Sequence, residues 1–158
     1  MNPLTQDGKR YVARAPRFVP VFNPVAARLL RLGRLMGPNA LLTVRGRKSG
    51  EPRTTPVAVV EIKGRRWIVG TFGDVNWVRN LRAAGEGVIT VGRRRESVRA
   101  VELTPEESAS FFAGVLAPYA SDGALKRLVL RMLGASDIIS DPRGAAAKRP
   151  VFELETAA

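Results

Sequence analysis

The sequence predicts a single α+β domain, an antiparallel barrel of about six strands with flanking helices. Two observations carry this. The middle of the chain holds short runs rich in Val, Ile and Thr, at Leu41–Arg45, Thr55–Ile62, Arg66–Thr71, Val88–Val91 and Ser97–Leu103. The helical patterns do not alternate with these strands one for one, which argues against a doubly wound parallel sheet.

Residues Met1 to Pro20 mix Pro, Arg and polar residues without a sustained period, and read as an extended arm over residues 1–22. The rest, residues 23–158, reads as one domain. Asn23 is a capping residue and Pro24 suits the first helical position. Val25, Leu29, Leu32 and Met36 then recur at helical spacing with Arg28, Arg31 and Arg34 between them, so a basic amphipathic helix ends at Gly37-Pro38.

Among the strands, Lys63-Gly64-Arg65 and Gly92-Arg93-Arg94-Arg95-Glu96 read as hairpin turns, the second strongly cationic and solvated. Between the third and fourth strands, Trp77 and Leu81 share a helical face and Gly85 ends that helix. Thr104-Pro105-Glu106-Glu107 starts another helix, running to about Ala117: a capping Thr, Pro at the first helical position, then acids in the first turn. A basic amphipathic helix follows over roughly Asp122 to Leu133, and Val151–Glu155 returns as a last strand.

Composition narrows the chemistry. The chain has no cysteine and no histidine, which removes thiol nucleophiles, disulfides, the usual zinc sites and imidazole bases. No stretch reaches the ~20 apolar residues of a membrane span, and Met1 to Arg10 lacks a signal-peptide core, so a cytoplasmic location is expected. The net charge of +12 is unevenly placed: Asp7 is the only acid before Glu51, while ten cations precede it. Nucleic acid, an anionic membrane and a polyanionic small molecule all suit such a surface. Few aromatics interleave the basic residues and no recognition helix appears, so nucleic acid is not expected.

Gly46 to Pro56 joins two strands through a turn with two Gly, two Pro and three cations, Arg47, Lys48 and Arg53. Gly lets backbone N–H groups turn inward, and Ser49, Thr54 and Thr55 add hydroxyl donors. The turn lacks the Walker loop's Lys-Ser/Thr ending into a helix, and it is not a dinucleotide fingerprint. On residue types alone, an anion cradle and a solvated cationic hairpin fit it equally.

Thr43 to Val57, followed by Val69-Gly70-Thr71-Phe72-Gly73-Asp74 and by Asn76-Trp77-Val78-Arg79-Asn80-Leu81-Arg82-Ala83, resembles the deazaflavin-dependent nitroreductase family. The resemblance covers roughly Leu41 to Leu103. It implies a split β-barrel, similar to the FMN-binding barrels, that binds coenzyme F420, an 8-hydroxy-5-deazaflavin with a phosphate and an oligoglutamate tail; FMN is the alternative cofactor. It places Arg47, Lys48, Ser49, Gly50, Arg53, Thr55 and Pro56 at the phosphate, and Gly70, Thr71, Phe72, Gly73 and Asp74 against the deazaflavin ring. Trp77 and Asn80 line the same groove. The ring-facing loop is shorter here than in many relatives, and Tyr119 is the candidate left of a substrate-side tyrosine wall.

The implied activity is hydride transfer from reduced F420 to a quinone, nitroaromatic or activated alkene; the alternative is a non-catalytic deazaflavin, flavin or fatty-acid binder of the same barrel family. A small-molecule acceptor is the expected partner, in a monomer or homodimer. The basic Asn23–Met36 helix either caps one barrel end or rests on the inner, anionic face of the plasma membrane.

Overall fold

The computed structural model describes residues 39–118, 122–124, 131 and 136–157. The N-terminal arm, the Asn23–Met36 segment, Tyr119 and most of the Asp122–Leu133 segment lie outside the described residues.

Six strands form a closed barrel: β1 (Asn39–Arg45), β2 (Pro52–Ile62), β3 (Arg65–Val69), β4 (Glu86–Val91), β5 (Arg94–Glu102) and β6 (Val151–Thr156), in the order β1-β2-β3-β6-β5-β4. Every neighbouring pair is antiparallel. Alternation along each strand sends one set of side chains inward. Ala40, Leu42, Val44, Val57, Val59, Ile68, Ile89, Val98, Ala100, Phe152 and Leu154 fill the barrel. Each large aliphatic among them removes enough apolar surface from water to contribute about 1.5–3 kcal/mol.

The hairpin turns are tighter than the sequence suggested. Ile62 pairs with Arg65 and Val91 with Arg94, leaving Lys63-Gly64 and Gly92-Arg93 as two-residue connections. Lys63 and Gly64 both adopt positive φ, 51° and 77°, which matches a type I′ hairpin. Gly92 alone does so in the second turn, so Arg94, Arg95 and Glu96 belong to β5 and not to the turn.

Helix α1 (Asn76–Ala84) plugs one end of the barrel, where Val78 and Leu81, both fully buried, join the inner core. Gly85 ends it in the left-handed conformation at φ 71°, its N–H donating to the Leu81 carbonyl. Helix α2 (Pro105–Phe111) begins with a complete capping box: the Thr104 N–H donates to Glu107 Oε2 at 2.8 Å, and the Glu107 N–H to Thr104 Oγ1 at 3.2 Å. It widens into a π-helical turn over Phe112–Leu116.

Two further helices, α3 (Asp137–Ser140) and α4 (Pro142–Lys148), precede β6. The sequence carried a start signal for α4 that the reading above missed. Asp141 caps it, accepting the Gly144 N–H at 3.1 Å, with Pro142 at the first helical position. Together α2, the π turn, α3 and α4 cover the outer face of β2, β3 and β6. There Val60, Trp67 and Val151 pack with Phe111, Phe112, Leu116, Ile138 and Ala145 in a second core. No helix among the described residues is long and apolar enough to cross a membrane.

The barrel end remote from α1 is closed by polar groups. Arg66 donates through both terminal nitrogens to the two Glu96 carboxylate oxygens, each at 2.8 Å, and the Thr156 hydroxyl donates to Glu96 Oε1 at 2.8 Å. These groups border a cavity of about 490 Å³ that also meets Glu61, Ile89, Val91 and Arg94. The Arg66 guanidinium, aided by Thr156, holds the Glu96 carboxyl down at about 2, against an ordinary 4.5. Stability from this pair is therefore fully present above pH 4.5 and is lost as pH falls towards 2. Glu96→Gln removes that dependence. Acid-unfolding curves should show the wild-type protein losing about 1 kcal/mol more than the variant between those limits, partial exposure having reduced the full linkage value.

Candidate functional site

The β1–β2 turn is built by its own backbone. The Gly46 N–H donates to the Glu51 carbonyl and the Gly50 N–H to the Gly46 carbonyl, both at 2.8 Å, while the Glu51 N–H reaches Ser49 Oγ at 3.2 Å. Arg47, Lys48, Ser49 and Gly50 are exposed at its tip.

Asn80, on α1 and only 6% exposed, ties this turn to the body of the protein. Its Oδ1 accepts from the Arg47 backbone N–H at 3.2 Å and from Arg47 Nη1 at 2.8 Å. An amide oxygen orients the guanidinium without cancelling its charge, which a carboxylate would do. The Lys48 and Ser49 N–H groups have no backbone partner among the described residues, and the Lys48 ammonium has no acid within ion-pair distance among them. Arg53 meets Glu51 only loosely, at 3.7 Å with both side chains largely in solvent. That pair neutralises little.

The β1–β2 register sets the faces. Arg53 lies opposite Val44 and Thr55 opposite Leu42, so both share the face of β2 that carries Val57. Thr54 faces the other way and its hydroxyl meets that of Thr43 at 2.8 Å. Thr55 and Pro56 are half-buried.

The second segment, Gly70 to Val75, leads from β3 into α1. The Gly70 N–H donates to the Pro150 carbonyl at 2.7 Å, Thr71 to Val69 at 2.9 Å, Gly73 to Gly70 at 2.9 Å and Val75 to Gly73 at 2.9 Å. Of the amides from Gly70 to Gly73, only that of Phe72 has no backbone partner among the described residues. A Cβ at residue 70 would lie 3.0 Å from Val78 Cγ2, 3.1 Å from the Gly73 carbonyl and 3.2 Å from Pro150 Cδ, so any side chain there would have to displace its neighbours by a few tenths of an ångström.

Asp74 is buried, at 5% exposure, and its carboxylate faces α1. Oδ1 accepts from Arg82 Nη1 at 2.6 Å and Oδ2 from Arg79 Nε at 3.1 Å. Arg82 also forks onto Glu102 of β5 at 2.6 and 2.8 Å, which, with Asp74, raises its pKa above the ordinary value. Asp74 thus fixes the entry of α1 against the barrel. Trp77 is half-buried against the inner core, its ring 6.5 Å from that of Phe152, while Leu81 is wholly inside.

The sequence-predicted residues therefore fall into groups with different tasks. Arg47 and Asn80, 33 residues apart, meet directly. Lys48, Ser49, Gly50 and Arg53 stand around them on the turn and β2, and Gly70, Thr71, Phe72 and Gly73 stand at the other end of α1. The sequence reading missed Arg149, which is 3% exposed, donates from Nε to the Thr71 carbonyl at 3.0 Å and from Nη1 to Asp137 Oδ2 at 2.5 Å. No local pattern marks it, because its partners lie 78 and 12 residues away.

Comparison with known proteins bears on the family and the fold. The profile of the family described as F420H(2)-dependent quinone reductase matches residues 27–128. Among solved structures, one described as a domain-swapped dimer is 23% identical, covers 84% of this chain and 95% of its own, and has a TM-score of 0.50. A pyridoxamine 5'-phosphate oxidase-related, FMN binding protein from Nostoc punctiforme PCC 73102 is 10% identical, with coverage of 89% and 81% and a TM-score of 0.51. An F420-H2 dependent reductase is 22% identical, with coverage of 75% and 94% and a TM-score of 0.45. The first two likenesses concern the fold, a six-stranded antiparallel barrel shared with FMN-binding proteins. The profile spans well over half of the sequence, including the turn, the Gly70–Asp74 loop and α1; the chain belongs to the F420H(2)-dependent quinone reductase family, whose cofactor is F420.

Proposed function

We propose that the chain is a reductase that holds F420H2 by its phosphate on the Gly46–Pro56 turn and delivers reducing equivalents to a quinone, with nitroaromatics and activated alkenes as further acceptors. The observation that carries this reading is the Asn80–Arg47 tether, because it orients a cation without an opposing carboxylate on a turn where the Lys48 and Ser49 amides have no backbone partner among the described residues. The residues fit the group. Arg47, Lys48 and Arg53 supply positive charge, Ser49 and Thr55 supply hydroxyls, and the Lys48 and Ser49 amides point nowhere else among the described residues. A phosphate needs this mixture of charge and directed donors.

When bound, the reduced deazaflavin supplies the hydride. This chain's own residues supply position. The Gly70–Gly73 loop, with most of its backbone donors already committed, offers a fixed edge with the Phe72 N–H as its uncommitted amide. Trp77 offers a partly exposed apolar ring beside it. No histidine is required for such a transfer, since orientation and exclusion of water do most of what the protein contributes. Residues 23–158 are taken as one domain, since the family match begins at residue 27 and the barrel closes through β6 at Val151–Thr156, and the domain-swapped dimer among the similar structures makes a homodimer the assembly to test first.

Fluorescence titration with reduced F420 tests the reading. Tight binding by the wild-type protein is expected, with Lys48→Ala and Arg53→Ala each weakening it by about tenfold, the scale of one charge-assisted hydrogen bond. Absence of binding at micromolar cofactor would sink it, and binding without turnover of menadione would leave the non-catalytic alternative.

Asn80 gives a sharper test of charge. Asn80→Ala frees Arg47 and should weaken binding by about tenfold, while Asn80→Asp keeps an acceptor in place and neutralises the guanidinium. Weaker binding by the Asp variant is expected although the turn remains tethered. Wild-type affinity in that variant would show that the Arg47 charge is not used.

A further inference from the structure

Arg149 is a buried cation on the short link between α4 and β6, far in sequence from the turn and from α1. Burying a guanidinium is costly unless its donors are well placed. Here Nε is spent on the Thr71 carbonyl at 3.0 Å and Nη1 on Asp137 Oδ2 at 2.5 Å. The other Asp137 oxygen, Oδ1, is buried with no hydrogen-bond partner among the described residues. Stability alone is a poor account of such an arrangement, because an apolar pair of similar volume leaves no orphaned oxygen.

The adjacent residue repeats the contact. Pro150 accepts the Gly70 N–H at 2.7 Å, so two successive residues of one link grip two successive residues of the Gly70–Gly73 loop, one through a carbonyl and one through an amide. On the other side Val78 of α1 packs closely, a Cβ at residue 70 lying 3.0 Å from its Cγ2. The loop is clamped between the barrel-plugging helix and this link. Drawing the Thr71 carbonyl towards Arg149 fixes the peptide plane whose nitrogen is the Phe72 N–H, since the C=O and N–H of one peptide point in opposite directions.

We propose that Arg149 is a positioning residue for the cofactor-facing loop, acting through the Thr71 carbonyl to aim the Phe72 N–H at the bound F420, with Asp137 fixing the orientation of its guanidinium. This rests on the reading that Gly70–Gly73 faces the cofactor. Arg149 itself is buried behind the loop, and its effect reaches the ligand only through that peptide.

Arg149→Lys is the test. Lysine keeps the charge but presents donors from one point and does not span both Thr71 and Asp137 as a fork does. Two readouts are needed in the full chain: amide hydrogen exchange without cofactor, and the dissociation constant for F420H2 by fluorescence titration. Faster exchange confined to the Gly70 and Gly73 amides, unchanged protection of the β1–β2 ladder, and binding weakened by about tenfold are expected. A merely structural role would lower the melting temperature and leave the affinity of the folded protein as it was, and that result overturns the proposal. So does unchanged exchange in the loop.

Should Arg149→Lys not fold, Asp137→Asn leaves Arg149 and its bond to Thr71 in place while removing the opposing charge. The same loop-selective loss of protection with weaker binding is then expected, and wild-type affinity again overturns the proposal. If the wild-type protein binds no F420H2, the functional reading falls and this inference with it; if the wild type binds and the variant binds equally well, only this inference falls.

Discussion

Insertion of β6 between β3 and β5 is the constraint on which the site depends. The strand closest to the end of the sequence closes a barrel begun by β1, and its register with β3 carries Arg149 and Pro150 to the exit of that strand. Val69 pairs with Val151, so the residues just before β6 meet the residues just after β3. The Gly70–Gly73 loop gains its outer clamp from that pairing and its inner one from α1. Without closure, the loop would be a free connection and α1 would lack a barrel end to plug.

The cations of this chain divide by what faces them. Arg65, Arg66, Arg82 and Arg149 meet Glu153, Glu96, Asp74 with Glu102, and Asp137 respectively, and these pairs stitch strands and helices together. On the β1–β2 turn the pattern differs. Arg47 is held by a neutral amide and Lys48 has no acid beside it among the described residues. A buried Asn in place of an acid at the contact between α1 and the turn separates orientation from neutralisation. Structural arginines lose their charge to a partner, whereas the turn keeps its charge available to a ligand.

Much of the architecture was legible locally. Thr104 with its first-turn acids, Gly85 after α1 and the Lys63-Gly64 turn between β2 and β3 are short-range signals, each depending on a few neighbouring residues, and each appears in the structure, the turn one residue shorter than read. The cap at Asp141-Pro142 was equally local and was overlooked. What sequence could not show are meetings set by barrel closure. The resemblance put Asn80 in the cofactor groove, but its grip on Arg47 follows from where α1 packs. Asp74 was read with the ring-facing loop, yet its carboxylate is drawn to Arg79 and Arg82 because α1 begins immediately after it. Arg149 reaches Thr71 across most of the described barrel, and no spacing rule links them.

These two kinds of contact respond differently to solution conditions. The turn's cations are exposed, and at physiological ionic strength their attraction is screened over a Debye length of about 8 Å. Their hold on an anion therefore weakens with salt. Arg149 is 3% exposed, and its bonds to the Thr71 carbonyl and to the partly exposed Asp137 are screened less than those of the turn as salt rises. In the proposed site, anchoring falls to charges that salt tunes, and orientation to a clamp built on the buried Arg149. A ligand attached at both places would be held more loosely in high salt with little change of angle, because the part that sets the angle is centred on a buried guanidinium that ions screen least.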